Sequence, residues 1–193
     1  ILEFKTKSKN IAHLLKTDIP DNVFVSWSLN PQIFIDHEEH GTASLDQRLS
    51  CAKSLSDKGV LVGFHFHPIV YYEGYEDDYK NIVNKVMSMF EPQQIAMISM
   101  GTLTFIKPAI NKLRSAGLKS KVLQIPMVDA VGKSSYTKEV KAEIFSNVYN
   151  EFKSWHNDLF FYLCMEESSI WESVFGDFYK SNVDFETALF ESV

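Results

Sequence analysis

The sequence predicts an α/β protein built as a partial (β/α) barrel, with parallel strands inside and helices outside. Apolar strand-like runs alternate with amphipathic helix-like runs along almost the whole chain, the pattern of βα units around a parallel sheet. About five strands can be counted, too few to close an eight-stranded barrel, so the barrel must be open. With 45% hydrophobic and 13% aromatic residues, the 193-residue chain can bury one substantial core.

The elements follow in order. Leu2 to Thr6 reads as a strand already in progress, and with no initiator methionine ahead of it the chain is expected to be a fragment whose N-terminal strands are missing. Asn10 to Lys16 suggests a short helix, and Val23 to Leu29 a strand halted at Asn30-Pro31. His37-Glu38-Glu39-His40-Gly41-Thr42 reads as a polar loop. Ser44 is placed to cap a helix running to Lys58, with Leu45, Leu49, Ala52 and Leu55 at helical spacing and Gly59 closing it.

Val60 to Phe66 is the next strand, Glu76 to Phe90 a helix, Ile95 to Met100 a strand and Ile106 to Ala116 a helix. The rhythm degrades from Lys119 to Tyr136, where a loop or short edge strand is expected. Helix resumes from Thr137 to about His156, Leu159 to Cys164 forms a last strand, and Ser168 to Phe175 and Phe185 to Glu191 are helical. The expectation is one domain over 1–193, with βα units in 1–118 and the C-terminal strand and helices in 119–193.

A formal charge of -6 gives no global attraction to phosphate, so contact with nucleic acid would need a local basic patch. The two cysteines, Cys51 and Cys164, are far apart and lie in amphipathic and apolar segments, as buried thiols in a reduced cytoplasmic protein would. No apolar run has the length of a membrane span.

The most informative stretch is Gly63-Phe64-His65-Phe66-His67-Pro68-Ile69. Strand periodicity puts His65 and His67 on one face, where they could bind a metal with His37 or Glu39, as in a metal-dependent hydrolase, or line a cofactor pocket. Lys7 and Ser28, at the ends of the first two strands, occupy the barrel rim and could bind a carboxylate and a ribose hydroxyl. Tyr71, Tyr72, Tyr75 and Tyr79 could stack on a base or simply cap the barrel. Gly132-Lys133 with Lys138 and Lys141 makes a small basic cluster, either a contact to nucleic-acid backbone or the solvated face of a helix.

Several of these segments, in this order and spacing, resemble the spore photoproduct lyase family of radical S-adenosylmethionine enzymes. They are Thr6-Lys7, Val25 to Asn30, Gly41 to Arg48, Gly63 to Ile69, Tyr72 to Tyr75, Ser99 to Phe105, Gly132-Lys133 with Tyr136 and Lys138, and Tyr162 to Glu166. The resemblance implies a partial barrel in which a [4Fe-4S] cluster cleaves S-adenosylmethionine to a 5′-deoxyadenosyl radical that reverses a thymine-dimer lesion in DNA. By position it implies that Lys7 pairs with the methionyl carboxylate of S-adenosylmethionine, that Ser28 bonds the cofactor's polar edge, and that His67 stands beside it.

At the His67 position the family often has a small or acidic residue. The resemblance also implies DNA-facing roles for Lys133, Tyr136 and Lys138, and a lesion-reading hairpin between Leu123 and Tyr136, a stretch that here contains no arginine. The family binds its cluster through Cys-x3-Cys-x2-Cys, because three thiolates leave one iron open. That triad is absent from this chain, so the cluster ligands and the hydrogen-donating cysteine are expected upstream. No catalytic or metal-binding residue is then expected in this fragment, which alone should be inactive. A non-catalytic nucleic-acid-binding remnant is the remaining alternative, and the oligomeric state is left open.

Overall fold

Parallel pairing of β-branched and aromatic runs organises the chain, described here by a computed structural model covering residues 1–117, 120, 122, 125–130 and 132–192. Leu2–Thr6 (β1), Val23–Ser28 (β2), Val62–Ile69 (β3) and Ile95–Thr102 (β4) pair in parallel in that order. Thr104–Ile106 (β5), Val128–Ala130 (β6) and Lys133–Ser135 (β7) form a separate antiparallel sheet in the order β5-β7-β6. Phe161–Leu163 (β8) adds in parallel to β4 and completes a five-stranded sheet. The helices are Gln32–Glu38 (α1), Leu45–Ser56 (α2), Tyr75–Met89 (α3), Lys107–Ser115 (α4), Lys138–Glu151 (α5), Ser168–Phe175 (α6) and Asn182–Glu191 (α7).

Alternation along the strands separates two faces. Val25, Trp27, Phe64, Phe66, Ile98 and Met100 are buried in one hydrophobic cluster with Leu49 and Ala52 of α2, Val83 and Val86 of α3, and Ile144 and Phe145 of α5. Each Val, Leu, Ile, Met and Phe side chain among them contributes about 1.5–3 kcal/mol by leaving water. Trp27 is fully buried there, and its Nε1 donates to Ser8 O at 3.0 Å. The opposite face carries Ser26, Ser28, His65 and Ser99, buried but polar. A smaller cluster of Phe24, Ala96 and Met97, joined by Leu61, Phe160, Tyr162 and Leu189, brings α7 against the N-terminal ends of the strands. Gly63 is required at this floor, because a Cβ there would lie 3.0 Å from both Met97 Cε and Phe24 Cε2.

Several boundaries differ from the sequence reading. The helix expected over Asn10 to Lys16 reduces to a 3-10 turn at Leu14–Lys16. The third strand runs through Pro68 to Ile69, because a register shift between Phe66 and Ile69 opens the ladder where proline has no N–H to offer. The loop expected from His37 is partly helix, since α1 extends through Glu38. The loop or edge strand expected over Lys119 to Tyr136 contains β6 and β7, whose pairing lies in the range where the resemblance implies a hairpin. Within that range residues 119, 121, 123, 124 and 131 lie outside the described residues.

Candidate cofactor site at the barrel mouth

Period-two alternation puts Glu3, Lys5 and Lys7 on one side of the first strand, the side shared by Ser26 and Ser28, His65 and His67, and Ser99. The side chains meet across strands. Ser26 Oγ donates to Glu3 Oε1, and His65 Nε2 lies 2.5 Å from the same oxygen. Lys5 Nζ is 3.3 Å from His67 Nδ1, and Ser99 Oγ is 2.8 Å from His67 Nε2. The two imidazoles pack edge to face with centroids 5.0 Å apart.

The electrostatics fix the protonation of these rings. Burial, then the Lys5 ammonium, drives the His67 pKa down to about 2, so the ring is neutral. An ammonium can only donate, so Nδ1 accepts from Lys5 and Nε2 carries the proton toward Ser99. Burial also lowers the His65 pKa, against the opposing bond to Glu3. The Glu3–His65 contact is therefore a neutral imidazole donating to a carboxylate, not an ion pair. Burial pushes Glu3 upward, but hydrogen bonds from His65 and Ser26 hold it below its ordinary value. With Nε2 donating, His65 Nδ1 is a buried acceptor that has no partner among the described residues.

At the C-terminal mouth Lys7 Nζ donates to Glu39 Oε1 at 2.6 Å. Lys7 lines a cleft of about 330 Å³ with Phe34, Glu39, Pro68, Leu103 and Phe105. Ser28, expected on the rim, lies deeper and is 2% exposed. A neighbouring groove of about 430 Å³ is lined by Ile33, Phe34, His37, Tyr71, Tyr72 and Val122.

The other candidate residues separate. Tyr136 is buried, accepts from the Tyr71 N–H at 3.0 Å, and burial raises its pKa to about 12, so its ring leaves no face for a base. Lys133 opens β7, and Lys138 is exposed beside Glu167. Lys141 belongs to neither a basic cluster nor a solvated face, because it is buried against Glu166 at 2.8 Å. Tyr75 and Tyr79 are core, while Tyr71 and Tyr72 border the groove. Among the described residues no group of three or more His, Cys, Asp or Glu is placed to hold a metal ion. Neither expected third ligand stands with His65 and His67 among the described residues, since His37 faces the groove and Glu39 is engaged by Lys7, Asn30 and Arg48.

A family model described as spore photoproduct lyase matches residues 1–139. The chain belongs to the spore photoproduct lyase family. Lys7, Ser28, His67, Lys133, Tyr136 and Lys138 all fall within the matched range. The spore photoproduct lyase of Geobacillus sp. (strain Y412MC61) is 28% identical over 123 residues, covering 63% of this chain and 36% of that protein. A solved spore photoproduct lyase complexed with dinucleoside spore photoproduct superposes with a TM-score of 0.71 at 23% identity, over 84% of this chain and 51% of that one. A mutant of spore photoproduct lyase with bound AdoMet and dinucleoside spore photoproduct gives 0.69 at 22% identity, over the same shares. The chain thus spans about half the length of the solved structures it matches, and less of the Geobacillus protein.

Within this family fold, sequence reasoning considered Glu39 only as a loop residue or a metal ligand beside His65 and His67, and assigned no role to Lys5 or Arg48. Lys5 shares the period-two face of Lys7. Arg48 lies in the same helical stripe as Leu45, Leu49, Ala52 and Leu55, and a charge inside an apolar stripe signals a buried partner.

Proposed function

We propose that this chain forms the C-terminal part of the barrel of a radical S-adenosylmethionine lyase that repairs spore photoproduct, a thymine-dimer lesion, in DNA. Family membership over residues 1–139 supports the reading, as do relatives solved with dinucleoside spore photoproduct and, in one case, AdoMet. The observation that carries it is Lys7, an ammonium held at the mouth of a parallel barrel and facing a cleft large enough for part of a nucleoside.

The donor set is read toward S-adenosylmethionine through Lys7, which faces the cleft, whereas Ser28, 2% exposed, would be reached only below the rim. Lys7 would pair with its carboxylate, Ser28 would bond its polar edge, and His67, neutral and locked, would form the wall. When bound, the cofactor supplies a 5′-deoxyadenosyl radical. The chain's own residues bind it, orient it and keep water from the apolar side of the cleft, where Phe34, Leu103 and Phe105 stand. Lys133 and Lys138 would contact the DNA backbone, with Tyr136 supporting the loop between them from inside.

The [4Fe-4S] cluster does not fit the residues present. Cys51 lies on α2 and Cys164 follows β8, and no cysteine triad exists in the sequence. We place its ligands outside this chain, treat residues 1–193 as one domain, and expect the isolated piece to be inactive. A DNA substrate and free thiols fit action in the cytoplasm; among the described residues no helix is long and apolar enough to cross a membrane.

The test is the complete reading frame. A Cys-x3-Cys-x2-Cys upstream, an iron-sulfur chromophore in the purified product, and conversion of dinucleoside spore photoproduct that Lys7→Met reduces by about 100-fold are expected. A complete product without the triad, or one that converts the dinucleoside equally well as Lys7→Met, overturns the reading.

A further inference from the structure

Lys7, Ser28 and His67 stand on or just after three different strands, yet one side-chain network holds the main chain of all three. Arg48 is completely buried, and its guanidinium donates through Nη1 to Ser28 O at 2.8 Å, through Nε to Ala43 O at 2.8 Å, and through Nη2 to Thr42 Oγ1 and Glu39 Oε2 at 2.7 and 2.6 Å. The Ala43 N–H in turn donates to Lys7 O at 2.9 Å. Asn30 Nδ2 donates to Glu39 Oε1 at 2.7 Å and reaches His67 O at 3.4 Å. Tyr79 OH, 3.2 Å from Asn30 Oδ1, fixes the amide from behind.

Glu39 is the node. Its Oε2 meets Arg48, while its Oε1 receives both Asn30 and the Lys7 ammonium. Burial pushes this carboxyl upward, but the Lys7, Arg48 and Asn30 hydrogen bonds hold it below its ordinary value, so it is ionised. Two cations and one carboxylate leave a single net positive charge. Arg48 is enclosed and donates four hydrogen bonds, so the charge of this network reaches the cleft through Lys7, whose side chain is 33% exposed, while the Glu38 carboxylate also lines that cleft. One Lys7 N–H lies on Glu39 and two remain to donate.

We infer that Glu39 and Arg48 are positioning residues: they hold Lys7 in one geometry, tie it to the Ser28 and His67 strand ends, and preorganise the shelf for the carboxylate of S-adenosylmethionine. The inference rests on the proposed role of Lys7. Its physical basis is that a lysine free in solvent must be immobilised when it binds an anion, whereas one already held by a charge-assisted bond is not. Glu39 also places a carboxylate beside an incoming carboxylate, so a purely electrostatic role for Glu39 has the opposite sign and predicts tighter binding on its removal.

The experiment titrates the complete protein with S-adenosylmethionine and with 5′-methylthioadenosine, which lacks the amino-acid carboxylate, and records thermal unfolding of every variant. Glu39→Gln is expected to weaken S-adenosylmethionine binding by about 10-fold and to leave 5′-methylthioadenosine unchanged. Glu39→Asp keeps a counter-charge near the buried Arg48 but shortens the reach to Lys7, and gives the same selective loss if Glu39→Gln folds poorly. Lys7→Met is the reference, and equal binding of S-adenosylmethionine by Lys7→Met and the unaltered protein defeats the reading of Lys7 itself. If Lys7→Met binds S-adenosylmethionine weakly while the Glu39 variants bind it unchanged or more tightly, or lose both ligands equally, the positioning role is overturned.

Discussion

His67 faces an ammonium across 3.3 Å and is locked by Ser99 on its other nitrogen, which makes it a ring that refuses a proton. The consequence for stability has a definite sign. In the unfolded chain His67 takes up a proton near pH 6.5, whereas in the folded chain it stays neutral down to about 2, so between those limits the unfolded state binds more protons. Stability is therefore fully present above pH 6.5 and falls as pH drops below it, by up to about 1.4 kcal/mol per pH unit for this group. His65, shifted in the same direction, adds to the slope, and the lowered carboxyls of Glu3 and Glu39 extend the loss below pH 4.5. Urea unfolding at pH 7, 6 and 5 should give a shallower decline in His67→Gln than in the unaltered chain, and identical declines would remove His67 from this account. Gly101 makes a second demand at the same place. A Cβ there would lie 3.1 Å from His67 Nε2, and because Lys5 and Ser99 pin the ring it cannot give way freely. Gly101→Ala should cost about 1–3 kcal/mol in unfolding free energy, and should cost less in the His67→Ala background.

At the scale of elements, α2 joins what the sequence displays to what it hides. Its capping box is complete, with Ser44 Oγ accepting from Gln47 N and Gln47 Oε1 accepting from Ser44 N. Ser44→Ala should destabilise the chain by about 1 kcal/mol in chemical denaturation, and because Arg48 lies just one turn further on, it should also weaken S-adenosylmethionine binding by the complete protein. The start of α2, its apolar stripe and the strand pattern were legible because each depends on local periodicity. Arg48 lay in the stripe, but its partners come from the segment between α1 and α2 and from the end of β2, and no local pattern brings Glu39 and Ser28 to it. The end of β3 was misplaced by the rule that proline stops a ladder, because the register shift that accommodates Pro68 is a property of the β3–β4 pair. The sheet of β5, β6 and β7 was hidden for a related reason. Each strand is three residues long, and β5 pairs with a strand far along the chain, Thr104 opposite Ser135 and Ile106 opposite Lys133. Of the candidate site, the shared face of Lys7, Ser28 and His67 was legible from alternation, whereas the burial of Ser28 and the network holding the three were not.

For the whole molecule, the decisive asymmetry is between β1 and the interior of the sheet. β2, β3 and β4 have strands on both sides, but among the described residues β1 has only β2, and its other edge offers a row of backbone donors and acceptors. The face of β1 turned away from the polar lumen is also uncovered, with Leu2 and Phe4 each 51% exposed and alternating with Glu3 and Lys5. An open edge combined with an exposed apolar face is a template for another strand, whether from the same polypeptide or from a second copy. The isolated 193-residue chain should therefore associate as its concentration rises, with β1 as the contact. Phe4→Lys removes the apolar face without touching the lumen, since Phe4 alternates away from Glu3 and Lys5. It should shift the species seen by sedimentation velocity toward monomer while changing unfolding free energy by no more than about 0.5 kcal/mol, as expected of a surface substitution. A chain that is monomeric at every concentration, or whose association is untouched by Phe4→Lys, would show that this edge is already satisfied. In the complete protein the same substitution should behave oppositely and lower stability, because in the proposed barrel a preceding strand would pair with the β1 edge and its helix would cover the face that Phe4 leaves open.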